Sequence, residues 1–148
     1  NIFNCCDKHR MYIEIIQNSN KDIKEGAVFN ESGIIGQVVN NKSFYEVMLL
    51  TDTKSSIPLT NSKGDFYCNA SGSGASDYIT CSYSQLVWLD NHELGEKFFS
   101  SGLGGIYPKG IEIGNLESIK IVDTSTTLLT IKLISNPLHS NLFGVIKL

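Results

Sequence analysis

Along most of this chain, apolar residues alternate with polar ones in short runs, each broken by Gly, Asn, Asp or Ser. A period of two sends successive side chains to opposite faces of an extended strand. The pattern therefore predicts an all-β fold with little helix. Strands are expected over Met11–Ile16, Ala27–Phe29, Ile34–Val39, Glu46–Leu50, Phe66–Cys68 and Tyr78–Tyr83. Further strands are expected over Leu86–Trp88, Lys97–Phe99, Ile111–Ile121, Leu128–Ile134 and Leu142–Leu148. Helix is expected only as a turn near Asp22–Glu25.

Two stretches interrupt the alternation. Residues 1–10 combine Asn, Cys and charged side chains without a strand pattern, and read as a disordered leader. The Gly/Ser tract Asn69–Ser76 is poor in apolar residues and reads as a mobile hairpin loop. A faint repeat crosses these breaks. Gly26-Ala27-Val28-Phe29 followed by Ser32-Gly33 recurs as Gly95-Glu96-Lys97-Phe98 followed by Ser101-Gly102, an offset of 69 (95 minus 26). Ile35-Gly36-Gln37-Val38 then echoes Ile113-Gly114-Asn115-Leu116 at an offset of 78 (114 minus 36), so about nine residues are inserted in the second copy. Two copies predict two small β-barrel or sandwich lobes in tandem. The first is expected over 11–85, its N-terminal strand free to pair with the second; the second is expected over 86–148.

Composition narrows the class. With 148 residues and 41% hydrophobic content the chain has enough material for a core and is not a disordered polymer. Arg10 is the single arginine, the lysines are scattered among acids, and the net charge is -3, which argues against nucleic acid and anionic lipid as partners. No apolar run is long enough to span a bilayer. The chain opens on Asn1 rather than Met and is expected to be a fragment or processed product, with any anchor upstream of it.

The cysteines Cys5, Cys6, Cys68 and Cys81 lack zinc-site spacing, and no cofactor or metal is implied. A hairpin centred between Gly74 and Ala75 would set Cys68 beside Cys81. Two states are then open: a disulfide in an oxidising compartment, or two thiols acting as small apolar residues.

Catalytic patterns fail on their own chemistry. Gly72-Ser73-Gly74 and Gly102-Leu103-Gly104-Gly105 lack the Lys-Ser/Thr ending of a phosphate loop and lead into β-rich sequence. In His92-Glu93-Leu94-Gly95-Glu96 the second zinc-ligating His is replaced by Glu96. Ser100-Ser101-Gly102 invites comparison with a chymotrypsin-like double barrel. Such a hydrolase needs His and Asp converging on the Ser from separate loops, and His9, His92 and His139 are poorly placed for that. Asp52 reads as an Asx turn closing a strand. A carbohydrate-binding module is a further alternative, weakened because Trp88 is the only Trp.

The stretch from Glu93 to Gly114, with Ser101-Gly102-Leu103-Gly104-Gly105, Tyr107-Pro108 and Gly110-Ile111-Glu112-Ile113-Gly114, resembles the signature of the MreC family. Ile23-Lys24-Glu25-Gly26-Ala27-Val28, Gly33-Ile34-Ile35-Gly36-Gln37-Val38 and Val47-Met48-Leu49-Leu50-Thr51-Asp52 are similar to earlier blocks of the same family, in the same order. The chain departs from the pattern at Ser19, Asp22 and Glu96, and over Thr60–Tyr83. The resemblance implies the extracytoplasmic β-domain of a single-pass membrane protein on the periplasmic side of the inner membrane. It further implies a non-catalytic scaffold of the cell-wall elongation complex that maintains rod shape. The implied partners are a class B penicillin-binding transpeptidase, MreD, and, directly or indirectly, MreB and RodA, together with further copies of itself.

In physical terms Gly102, Gly104 and Gly105 permit a sharp reversal and Pro108 stiffens its far side, predicting a projecting knuckle. Gly26, Gly33, Gly36, Gly95, Ser101, Gly110 and Gly114 complete the structural motif. Leu103, Ile106 and Tyr107 form an apolar crest that either docks a partner, with Tyr107 as anchor, or folds back to seal the barrel. Val145-Ile146-Lys147-Leu148 is either an open strand edge or a fully paired closing strand.

Overall fold

The computed structural model describes residues 2–3, 9–14, 25–42, 44–84 and 92–148, and none of these is helical. The strands expected at Leu86–Trp88 and at Ile15 and Ile16, the turn at residues 22–24, and Cys5, Cys6, Ser19 and Trp88 lie outside the described residues.

The all-β expectation holds, as two sheets. One contains β1 (Ile2–Phe3), β2 (His9–Glu14), β3 (Ala27–Asn30), β4 (Gly33–Asn40), β5 (Phe44–Leu49) and β12 (Gly144–Ile146), in the order β1-β2-β5-β4-β3-β12. The other is a closed barrel of β6 (Ser56–Asn61), β7 (Tyr67–Gly72), β8 (Tyr78–Ser84), β9 (Lys97–Ser100), β10 (Glu112–Ile121) and β11 (Thr126–Leu133). Closure removes free edges, and a barrel this small is filled by its own side chains. Ile57, Leu59, Ile79, Phe98, Leu129 and Ile131 fill it, all fully buried.

The sheets do not follow the division expected between 85 and 86. Strands β6 to β8 belong to the barrel, and β12 returns from the C-terminus to pair with β3. The N-terminal β2 pairs with β5 inside the first sheet. Nor are residues 1–10 wholly a leader. Ile2 and Phe3 pair with Arg10 and His9, and His9 is buried.

Two further departures have a local cause. Ser56–Asn61 reads poorly as a strand because Pro58 has no N–H for a ladder. The Pro58 carbonyl accepts Ser101 N–H at 3.0 Å, just past Leu59–Ser100, the last β6–β9 pair, so the missing donor falls at the end of that ladder. The tract expected as a loop from Asn69 continues β7 as far as Gly72. A Cβ on Gly72 would lie 2.0 Å from the Asp52 carbonyl oxygen, so close approach of the β5–β6 turn explains the small residue.

The repeat is a shared three-strand plan. Val28 pairs with Gly36 and Gly36 with Leu49; in the barrel Phe98 pairs with Gly114 and Gly114 with Leu133. Flanking bonds match too. Val38 N–H reaches the Gly26 carbonyl at 3.0 Å as Leu116 N–H reaches Glu96 at 2.8 Å, and Leu50 to Ile35 and Ile134 to Ile113 both measure 3.0 Å. The register offset is 70 for the first strand (98 minus 28) and 78 for the second (114 minus 36), so the insertion is eight residues rather than nine. Both glycines are required by proximity: a Cβ would sit 2.2 Å from the Met48 oxygen at Gly36 and 2.2 Å from the Lys132 oxygen at Gly114. The inserted residues fall between β9 and β10.

The two cores meet along β3 and β4. Ala27 and Ile34 join the barrel cluster, while Val28, Ile35 and Val38 join Met11, Ile13, Val47 and Leu49 in the first sheet. A polar latch fixes the N-terminal strand. The Asp52 carboxylate, 1% exposed, accepts His9 N–H at 2.8 Å and Arg10 Nε–H at 3.0 Å through Oδ2, and Lys54 N–H at 2.9 Å through Oδ1. The last bond is the expected Asx turn. Burial opposes ionisation of Asp52. The donors of Lys54, Arg10 and His9 outweigh it and hold the carboxyl below its usual range.

Candidate functional site

The β9–β10 connection is the knuckle of the signature. Four of its glycines, Gly102, Gly104, Gly105 and Gly110, take positive φ. At Gly102 the space is closed as well, since a Cβ would meet Lys109 Cβ at 2.7 Å. Ser100 closes the base: its hydroxyl donates to the Pro108 carbonyl and accepts Ile111 N–H at 3.0 Å. Its backbone exchanges bonds with Ile111 and Gly110, both 2.8 Å. Ser101 N–H binds the Pro58 carbonyl at 3.0 Å, and Ser101 Oγ accepts Leu103 N–H at 3.3 Å.

The crest residues separate. Tyr107, read either as a docking anchor or as a seal folded back on the barrel, points inward: it is 2% exposed, lies in the barrel core, and donates its hydroxyl to Gln37 Oε1 on β4 at 3.3 Å. Burial pushes its phenol well above the ordinary value, despite the nearby Ser55 hydroxyl, which works in the opposite direction. Ile106 is half-buried against the same core. The physical reason is the run of left-handed glycines, which turns the chain back so that Ile106 and Tyr107 face the barrel. Leu103 is the one that projects, 58% exposed.

Beside Leu103 runs an open groove of about 550 Å³ between the knuckle and the β6–β7 turn. Tyr67, Thr60 and Phe99 form its floor, with Lys63 on one wall and Lys109 on the other. Sequence reading overlooked this groove. Its floor comes from three strands and includes β6, and only the barrel register makes those residues neighbours.

The residues weighed for hydrolysis hold other partners. Ser100 Oγ is bonded to the knuckle's own backbone. His139 Nε2 lies 3.9 Å from Glu31 Oε2. His92 Nδ1 lies 2.9 Å from Glu96 Oε1, its ring packed edge-on against Phe66 and Tyr83. Cys68 and Cys81 form a disulfide between β7 and β8. The register sets Ala70, not Cys68, directly opposite Cys81, so the two cysteines are diagonal neighbours on one face rather than the direct pair expected.

At the C-terminus β12 is flanked by β3 alone among the described residues, so it is an edge strand rather than a closing one.

Comparison with known proteins supplies the context for this architecture. The chain is 32% identical over 112 residues to the cell shape-determining protein MreC of Haemophilus influenzae, an alignment covering 72% of this chain. It spans about a third (31%) of that relative's length. Its fold is similar to the crystal structure of MreC from Pseudomonas aeruginosa, with TM-score 0.77, 23% identity, and coverage of 90% of this chain and 85% of that one. It also resembles a chain in a complex between penicillin-binding protein PBP2 and MreC from Helicobacter pylori, with TM-score 0.61, 14% identity, and coverage of 86% and 88%. At these identities the two structures speak to the fold alone. The family described as "Rod shape-determining protein MreC, barrel core" matches residues 2–147, which takes in both sheets, the glycine knuckle and the returning β12, and the chain accordingly belongs to the MreC family of rod shape-determining proteins.

Proposed function

We propose that this domain is a non-catalytic scaffold of the machinery that elongates the lateral cell wall, and that it works by holding other proteins in place. The observation that carries the proposal is the knuckle. Its base is closed by Ser100 and its inner side is nailed into the core by Tyr107, yet it holds Leu103 58% exposed at the rim of a groove. A stiff turn that displays a large aliphatic side chain loses little freedom on binding, which favours docking. A class B penicillin-binding transpeptidase is the partner proposed first, because the Helicobacter pylori relative is found in complex with PBP2. MreD, MreB and RodA, direct or indirect, complete the proposed assembly. An extracytoplasmic, periplasmic location, with a membrane anchor outside this chain, agrees with a Cys68–Cys81 pair at bonding distance.

The test is surface-immobilised capture of the transpeptidase ectodomain by this domain. Leu103→Ser should weaken it by about fivefold to thirtyfold, the loss of ~1–2 kcal/mol that follows from leaving a partly buried Leu side chain uncovered. Its unfolding midpoint should stay near that of the parent chain. Equal capture by both proteins would refute the knuckle as the docking element.

A specific observation also favours self-association. Among the described residues no strand flanks the second side of β12, which would offer its main-chain groups to a second copy. Deleting residues 144–148 should lower the sedimentation coefficient at high concentration, and undiminished assembly of a folded truncation would count against the idea.

A further inference from the structure

The composition of the groove selects among protein ligands. Its floor is a row of outward positions set side by side by the barrel register, Tyr67 opposite Thr60 and Thr60 opposite Phe99. Tyr67 is 42% exposed; Thr60 and Phe99 are half-buried. The walls are held by their own hydrogen bonds. In the β6–β7 turn Gly64 N–H binds the Asn61 carbonyl at 3.2 Å and Asp65 N–H binds Asn61 Oδ1 at 3.1 Å. The other wall is the knuckle.

Charge is distributed unevenly around this row. Lys63 and Lys109 line it from opposite sides, both exposed and neither in an ion pair among the described residues. Among the described residues no carboxylate lines it. Asp65 accepts the Asn61 side-chain amide at 2.7 Å, and Glu96 is occupied by His92 at 2.9 Å. Glu112, opposite Phe99 on β10, continues the row beyond the lining. A chain of net charge -3 thus concentrates two unpaired ammonium groups on either side of an aromatic floor.

We propose that this groove receives an extended acidic–apolar segment of a protein partner. One apolar side chain seats among Tyr67, Phe99 and Leu103, and flanking carboxylates meet Lys63 and Lys109. The inference rests on the protein-binding role proposed above and adds the place and the chemistry of the ligand. Exposed ion pairs contribute little affinity in themselves. The apolar contact provides binding, and the lysines select the sign of the charge around it.

The test follows amide shifts of the isotope-labelled domain as capped nonapeptides are added, one with a central Leu-Phe pair between glutamates, the other with lysines in their place. The acidic peptide should shift Tyr67, Phe99, Leu103 and Gly110; the basic peptide should leave them unmoved. The double variant K63E/K109E should bind the acidic peptide at least about tenfold more weakly and accept the basic one. Equal shifts from both peptides, shifts confined to another surface, or unchanged affinity in the double variant would overturn the inference. So would inorganic polyphosphate moving the same amides as strongly, since that would mark a general anion site. Capture of the transpeptidase ectodomain is measured in parallel. Retained capture with no peptide shift sinks the groove alone, whereas lost capture with intact peptide binding sinks the choice of transpeptidase as partner.

Discussion

Replacing Asp52 with alanine should unfasten the N-terminal strand from the rest of the first sheet. The carboxylate is 1% exposed and is met by two backbone N–H groups, of His9 and Lys54, and by the Arg10 guanidinium. Without it, each backbone donor that stays buried and unpaired costs ~1–3 kcal/mol. Arg10 suffers less, since its side chain is 17% exposed and keeps Glu46 at 2.8 Å. The expected loss is about 3–5 kcal/mol, the range found when one partner of a buried charged pair is removed. Urea unfolding followed by far-UV circular dichroism measures it. At a slope of roughly 2 kcal/mol per molar, the midpoint should fall by about 2 M. Acidity gives an independent reading. The folded carboxyl ionises below its ordinary value of 3.8, so its contribution is full above that value and is lost as pH falls through the lower folded one. The gap between parent and Asp52→Ala should therefore narrow in that acid window. A midpoint change worth less than about 1 kcal/mol, or a gap unchanged through acid, would refute the latch.

Tyr107→Ala should cost about 3–5 kcal/mol by urea unfolding, as for other large aromatic truncations, whereas Tyr107→Phe should cost under about 1 kcal/mol because only the Gln37 bond is lost. The raised phenol value means that the parent chain loses stability as pH climbs past 10.0, where the unfolded chain ionises first; Tyr107→Phe should lack this alkaline loss in a pH series. Gly36→Ala and Gly114→Ala should each destabilise by roughly 3 kcal/mol, since each Cβ runs into backbone, and calorimetry should find the two costs similar if the two units share one plan. The double variant Cys68→Ala/Cys81→Ala closes no loop across the separation of 13 residues and should lose about 2–4 kcal/mol; an unfolding midpoint equal to that of the non-reduced parent would show that the pair is not bonded.

Strand existence was legible wherever alternation was clean, as in Met11–Glu14, Tyr78–Tyr83 and Leu128–Leu133. Strand partnership was not, because period two identifies a buried face without saying which strand lies alongside. That is why β6, β7 and β8 were assigned to the wrong half and why the return of β12 to β3 went unforeseen. Pro58 and the Ser/Gly run of β7 concealed strand for different reasons: one lacks a donor at the end of the β6–β9 ladder, the other must be small beneath the Asp52 carbonyl. His9 and Arg10 looked like part of a leader because their burial depends on Asp52, some forty residues away. The knuckle was visible as glycines and a proline. The direction of Tyr107 was not, since several left-handed residues in succession decide which side chains face the barrel. The repeat was visible to within one residue, the difference between an offset of 69 in the letters and 70 in the register.

The eight extra residues between β9 and β10 do more than lengthen a loop. Tyr107 packs in the core that Ala27 and Ile34 share with the barrel and donates to Gln37 of the neighbouring sheet, so the protrusion is a strut braced against both halves of the molecule. If a partner docks on Leu103 as proposed, its pull would reach the seam between the halves through Tyr107. Tilting one half against the other would then shift the groove's mouth with it.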